Sequence, residues 1–529
     1  MKGQLPSPFS DDPQQGPAVR PLPPILRATK PGTWAHDTVS RRLREEILTR
    51  VFRENTFFAP DIIERLRELD EELAGAEHTN LRFLRALPSG SAEPPDLRMW
   101  NDHILPQFIS CTWLNAPWCV SEFYFYRRIM EAVEFFETRW DPFRIQKRLA
   151  VTTSMDTFAA YAVQVYSLFN EPETLEPEEV EEVFKMFLRI SLGGNQMDLS
   201  LWPVGSGSSG GGMTAARVAP YSLMDEEELA KTGAVAATGA GAGPDSEGLS
   251  GIADDDEDLD EDDEEAGATD SDNERAMRLL VDESDAVWQY IAARKPLAHV
   301  GMIVDNAGFE LFSDLLLADT LITFGLARQV TLHLKGHPTF VSDAIEADVL
   351  WLLERMALGS GSVCDELATL AGRWLQHLGE GRWVTREDLY WAQPFPFWEM
   401  PPGIRSSIAS QDLVFVKGDA NYRRLLGDRD WPLDTPFADV VAYWPRGLCA
   451  LRALKAELGC GLRARDIQRC QAMDPKWMVN GQWAVVQFFV GAQQQPPPPP
   501  LGATPAAAEP AQAARRPSPP SEVPDDIDL

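Results

Sequence analysis

Apolar residues recur at three- and four-residue intervals through residues 31–202, with charged residues between them. TVSRRLREEILTRVFREN and DIIERLRELDEELAGAE carry this spacing, as do SEFYFYRRIMEAVEFFETRW, MDTFAAYAVQVYSLF and PEEVEEVFKMFLRISLGG. A period near 3.6 predicts amphipathic helices, and Gly193-Gly194 supplies a C-terminal stop for the last of them. Residues 31–202 are therefore expected to form a helical N-terminal region. Beyond residue 276 the pattern changes. The short β-branched runs HVGMIVDN and DLVFVKGD and the alternating QVTLHLKGHPTFVSD read as strands. ELFSDLLLADTLITFGL and ADVLWLLERMA read as helices between them. Strands alternating with helices predict a mostly parallel sheet, so residues 276–490 are expected to be an α/β domain.

Three stretches carry neither period. Residues 1–30 are rich in Pro, Gln and Gly, and residues 491–529 form a Pro/Ala-rich tail. Both are expected to be disordered. Residues 203–275 hold 20 acidic and 3 basic residues, a net of −17 out of −33 for the whole chain. Such a block repels itself and buries nothing, so it reads as a disordered acidic insertion. Its GSGSSGGG lacks the Lys-Ser/Thr of a phosphate loop. The acidity argues against nucleic acid, which needs a basic face, and against an anionic membrane. A basic partner for the insertion is the one macromolecular partner class the charge allows.

The 6 cysteines form no C-x-x-C pair, and the 7 histidines show no zinc-ligand spacing. No apolar run reaches the roughly 18 residues of a membrane span, and the acid-containing N-terminus does not read as a targeting segment. These features predict a reduced, cytoplasmic protein, with the nucleus as a second compartment.

Candidate chemistry sits where apolar runs end in acids. Asp305-Asn306 follows HVGMIV, Asp343 ends TLHLKGHPTFVSD, and Asp419 follows DLVFVKG. Ligands of open α/β sheets bind beyond the carboxyl ends of the strands. Two carboxylates and an amide oxygen are a hard-oxygen set that suits Mg²⁺ or Mn²⁺ rather than zinc. Lys417, Arg423, Arg424 and Lys455 are candidate cations for a phosphate ester. A lone acid at a strand end is more often a cap or turn former, and that alternative stays open for each acid by itself. Glu122, Asn195 and Asp198 are expected to be structural or at the pocket rim. Glu310 is expected either to support the site or to favour a helix N-terminus.

VDNAGFELFSDLLLADTL resembles the signature of the damage-control phosphatases, a metal-dependent family. GTWAHDTVSRRL, PWCVSEFYFYRRI, GGNQMDLSLW, PTFVSDAIEAD and VFVKGDANYRRLLGDRDW carry the same resemblance, in order, from about residue 31 to 490. It implies a three-layer α/β/α sandwich with a helical N-terminal region. It implies Asp305, Asn306 and Asp343 as metal ligands, for Mn²⁺ or Mg²⁺ with Ni²⁺ or Co²⁺ as substitutes. It implies Asp305, Asn306, Asp419, Ala420, Asn421, Tyr422, Arg423 and Lys455 as substrate contacts, with Asp305 and Lys455 catalytic. The family's R-T-x-K motif is matched by Arg452-Ala453-Leu454-Lys455, where alanine replaces the threonine. The implied activity is hydrolysis of small phosphate esters such as fructose 1-phosphate and fructose 6-phosphate. The alternatives are an S-adenosylmethionine-dependent protein carboxyl methyltransferase and a non-catalytic acidic scaffold.

Overall fold

A seven-stranded sheet organises the computed structural model, which describes residues 9, 16–86, 92–194, 277–358 and 364–492. Its strands are β1 (Arg278–Asp282), β2 (Val300–Ile303), β3 (Val330–Lys335), β4 (Trp383–Asp388), β5 (Leu413–Lys417), β6 (Gly447–Ala453) and β7 (Trp483–Phe489). The order is β1-β7-β6-β5-β2-β3-β4. Every pair is parallel except β6–β7, so β1 and β7 run against the other five. The expected α/β class with a mostly parallel sheet is observed. The central strands are buried on both faces, which explains the nearly unbroken apolar runs of β2 and β5.

Side-chain alternation splits the interior into two cores. On β5, Leu413 and Phe415 join one core while Val414 and Val416 join the other. On β6, Cys449 and Leu451 separate from Leu448 and Ala450 in the same way. A strand has a side-chain period of two, so β5 and β6 each feed both cores.

The helices that cover the sheet come from both halves of the chain. In chain order they include α1 (Pro60–Ala74), α2 (Trp118–Ala132), α3 (Arg144–Thr153), α4 (Met155–Asn170) and α5 (Pro177–Leu192). Then follow α6 (Ser284–Ala292), α7 (Phe309–Thr323), α8 (Glu346–Leu358), α9 (Asp365–Gly379) and α10 (Asp419–Leu425). Apolar residues of α1 and α2 belong to the core on one face; those of α4 to α9 belong to the core on the other. The helical N-terminal region thus supplies parts of both outer layers rather than standing beside the sandwich. α5 stops at Leu192 with Gly193 as its cap, as the glycine pair predicts.

Residues 16–30 depart from the expectation of a loose N-terminus. Ile25 bridges to Arg429 and Arg27 to Pro117, the Arg429 guanidinium donates to Pro23 O at 2.6 Å, and Ala28 is fully buried. Prolines here fit an extended strap along a surface, which needs few ladder hydrogen bonds. The acidic insertion, the tail beyond residue 492, the first residues of the chain, Asn195 and Asp198 lie outside the described residues. Among the described residues no helix is long and apolar enough to cross a membrane.

Candidate metal-phosphate site

The carboxyl ends of β5, β2 and β3 lie side by side, and each continues into a polar segment. β2 runs through Val304 into Asp305-Asn306, and β5 runs through Gly418 into Asp419 and α10. Asp343 arrives differently. It lies well past the end of β3, on the loop that leads to α8, so the strand-and-turn expectation places it too simply. That loop folds back on β2. Ala344 N–H donates to Asp305 O at 2.7 Å and Ala307 N–H to Ser342 O at 2.7 Å, making an antiparallel bridge between Asn306 and Asp343. Residues distant in sequence thus become neighbours through backbone pairing.

The loop holds an unfavourable backbone. Phe340 and Val341 have φ of 47° and 69°, and for a β-branched residue this is a genuine outlier. The Phe340 ring offsets the cost by packing edge-on to Phe123 at 4.9 Å and against Tyr126 at 5.1 Å. Strain and anchoring together hold Asp343 against Asn306.

Gly418 makes the approach of β5 possible. Its φ is +82°, and a Cβ there would stand 2.0 Å from Asp305 Oδ2. Only glycine fits between the Asp305 carboxylate and the start of α10.

The acids lack compensation. Asp305 Oδ1 is buried with no hydrogen-bond partner. Burial pushes the Asp305 carboxyl well above the usual range, and the charges of Asp343 and Glu310 push it further. Asp343 is also raised by burial, against the pull of Lys335, whose Nζ lies 3.2 Å from Asp343 Oδ2. A divalent cation would relieve this excess of buried negative charge, and the donor set is all oxygen. Among the described residues, no three His, Cys, Asp or Glu side chains are gathered to hold a metal by themselves. Here the third donor is an amide, Asn306. The residues present therefore fit a hard cation.

These acids open onto a cleft of about 510 Å³ lined also by Trp34, Arg42, Glu122, Asp419, Arg423 and Lys455. Lys455 is exposed within it and has no ion-pair partner among the described residues. Its position follows from Arg452, which is buried. Arg452 donates to Asp419 at 2.8 Å, to Leu458 O at 2.7 Å and to Ala456 O at 3.0 Å. Lys455 N–H adds a 3.1 Å bond to Asp419 Oδ1. Arg452 and Asp419 thus shape the turn that presents Lys455. Ala453, in place of the family's hydroxyl, lines the same cleft.

The remaining predicted residues divide. Ala420 and Arg423 line the cleft with Asp419. Arg423 lies 3.6 Å over the Trp118 ring and is clamped by Glu122 and by Asp428 at 2.8 Å. Asn421 and Tyr422 do not line it. Asn421 is fully buried, accepting from Lys335 Nζ at 3.1 Å and donating to Lys417 O at 2.9 Å. Tyr422 donates to Gln487 Oε1 at 2.6 Å beneath the surface. Both are placed to brace the strand ends. Lys417 and Arg424 also leave the candidate phosphate contacts. Lys417 is 1% exposed and paired with Asp314 at 2.9 Å, and Arg424 donates to the carbonyls of Tyr390, Trp391 and Phe395. A lysine after an apolar run reads the same in sequence whether its chain turns up to solvent or down into the core. Lys335 and the Trp34–Arg42 wall were not singled out as functional by sequence pattern, whereas Glu122, expected to be structural or at the pocket rim, lines the cleft and pairs with Arg423. The embedded lysine in TLHLKG was the one available signal for the first of them.

The Damage-control phosphatase ARMT1-like domain matches residues 38–217 and 249–469. The chain belongs to this family. Its members include the damage-control phosphatase ARMT1 of Danio rerio, 28% identical over 502 residues, covering 88% of this chain and 97% of the relative. The Xenopus laevis protein of the same description is 27% identical over 493 residues, covering 88% and 98%. A solved DUF89 family protein from Pyrococcus horikoshii aligns with a TM-score of 0.37 and 12% identity, covering 84% of this chain and 95% of that one. The ARMT1-like match contains Arg42, Glu122, Asp305, Asn306, Asp343, Asp419, Arg423 and Lys455, while Trp34 and Asn480 lie just outside it.

Proposed function

We propose that the chain is a metal-dependent phosphomonoester hydrolase acting on sugar phosphates such as fructose 1-phosphate and fructose 6-phosphate, in metabolite damage control. The observation that carries this reading is the meeting of Asp305, Asn306 and Asp343 in one cleft with the unpaired Lys455. Family membership supports the phosphatase part.

Asp305, Asn306 and Asp343 would hold Mn²⁺ or Mg²⁺, which when bound supplies Lewis-acid polarisation of a phosphoryl oxygen. Lys455 places a mobile positive charge where a phosphoryl group enters and neutralises its non-bridging oxygens. Arg423 retains N–H donors beyond those engaged by Glu122 and Asp428, and its stacking on Trp118 fixes their direction. Glu46, Gln146 and Asn480 also line the cleft and offer partners for sugar hydroxyls. Trp34, Tyr126 and Phe340 form apolar walls that restrict water around the ester.

Phosphate release from a panel of sugar phosphates, with Mn²⁺, Mg²⁺, Co²⁺, Ni²⁺ or EDTA, tests the proposal. Turnover is expected with metal and lost in EDTA and in Asp305→Ala. Lys455→Met is expected to lower kcat/KM by about 100-fold or more, the scale of removing one group that stabilises developing charge. A folded, metal-supplemented wild type without turnover on any ester would refute it. Among the described residues nothing favours the methyl-transfer or scaffold readings over this one.

A further inference from the structure

We propose that Glu310 and Lys417 are positioning residues that fix the amide of Asn306 with its oxygen, not its nitrogen, toward the cation. The inference rests on the metal reading above and goes beyond it to residues that are not ligands.

An asparagine can serve a hard cation only through its oxygen, yet the two ends of its amide are nearly the same size. Something must choose between them. Asn306 Nδ2 donates to Asp305 Oδ2 at 2.9 Å and to Glu310 Oε2 at 2.7 Å. Both amide hydrogens are then engaged with carboxylates. Asn306 Oδ1 accepts from Ser342 Oγ at 2.6 Å and keeps its second lone pair. The reversed amide would set Oδ1 against two carboxylate oxygens and lose both donor bonds. Ser342 cannot make this choice alone, since its hydroxyl can turn to donate or accept. Asp305 cannot either, because a ligand's own oxygens are drawn to the cation. Glu310 is the partner outside the ligand set.

Glu310 is itself held. Lys417 Nζ lies 3.5 Å from Glu310 Oε1, on the side away from Asn306, and 2.9 Å from both Asp314 Oδ1 and Ser191 Oγ. Gly194 closes the position from behind: a Cβ there would stand 2.7 Å from Glu310 Cα. The end of α5 and the start of α7 therefore meet closely at Glu310. A buried lysine at the end of β5 acts through a glutamate on α7 to orient a ligand at the end of β2.

Mn²⁺ binding to the full chain by isothermal titration calorimetry tests this independently of turnover, for wild type, Glu310→Gln, Asn306→Asp and the double change. Glu310→Gln lets its own amide donate to a reversed Asn306, and is expected to weaken Mn²⁺ binding at least about tenfold. In the double change a carboxylate replaces Asn306 and presents oxygen whichever way it turns, while the new amide donates to it. Net charge equals that of wild type. Binding is then expected to return to within about threefold of wild type, as strongly coupled neighbours do when both are exchanged. Glu310→Gln with wild-type affinity overturns the inference, and so does a double change no tighter than Glu310→Gln. If Glu310→Gln fails to fold, as judged by near-ultraviolet circular dichroism, the comparison of the double change with Asn306→Asp alone decides it. Equal affinity for those two supports the inference, because a carboxylate needs no orienting partner. A wild type that takes up no Mn²⁺ refutes the metal reading, and the inference with it.

Discussion

Gly418 and His333 show how single residues set limits that composition does not reveal. Gly418→Ala would place a methyl group inside the van der Waals radius of the Asp305 carboxylate, at a backbone angle that alanine resists. Displacing a ligand by about an ångström can cost about 100-fold in rate. Gly418→Ala is therefore expected to lose that much phosphate release and to bind Mn²⁺ more weakly, with secondary structure retained. Steady-state assay and calorimetry on the same preparation check both. His333 is buried, and burial pushes its pKa down to about 4, against its hydrogen bond with Gln411, which acts the other way. Its folded pKa lies below its unfolded one. As pH falls from about 6.5 to about 4, the unfolded chain takes up a proton that the folded chain refuses, and stability is lost by as much as ~3 kcal/mol. The urea midpoint of wild type is expected to fall more steeply across that window than that of His333→Gln.

Elements here are joined by buried charges as well as by apolar contacts. Every residue of α2 except Glu131 is buried, and its charges are matched individually: Arg127 by Asp96 at 2.6 Å and Arg128 by Glu72 at 2.7 Å. Lys147 on α3 reaches Asp141 at 3.0 Å and Asp348 on α8 at 2.8 Å. Asp348 in turn accepts from Ile345 N–H at 3.0 Å, two residues beyond Asp343. α3 thus tethers the loop that carries Asp343. Lys147→Met would leave the buried Asp141 and the half-buried Asp348 without a cation, and is expected to cost about 3 kcal/mol. Denaturant unfolding at neutral pH measures it. Asp348→Asn keeps a cap acceptor and removes one of the two charges, so it is expected to cost less. At this scale the helical period of residues 31–202 was readable because each helix has an apolar stripe. The strands β1, β4, β6 and β7 were not singled out: β1 and β4 are edge strands with charged residues in RLLVD and WVTRED, and in β6 and β7 period two is obscured by burial on both faces.

The whole molecule brings these parts to one edge of the sheet. If the cation binds the folded chain alone, Mn²⁺ at ~100 times its dissociation constant is expected to add about 2.7 kcal/mol of stability. The thermal midpoint should rise with Mn²⁺, return with EDTA and stay unmoved in Asp305→Ala. A strap formed by residues 16–30 closes over Arg429 and Pro117, so deleting residues 1–30 is expected to lower the midpoint by about 1–3 degrees, in line with the loss of about 1–2 kcal/mol. By itself the sequence determined the α/β class, the helical N-terminal region and the acids that end up lining the cleft, since periodicity and local residue chemistry are properties of neighbours along the chain. Tertiary structure alone decided which cations serve the cleft. Lys417, Arg424 and Lys455 each follow an apolar strand, yet only Lys455 faces the cavity. The direction in which a long side chain turns is set by what packs beneath it, and for Lys417 that is Ser191, Glu310 and Asp314, residues up to 226 positions away in the chain.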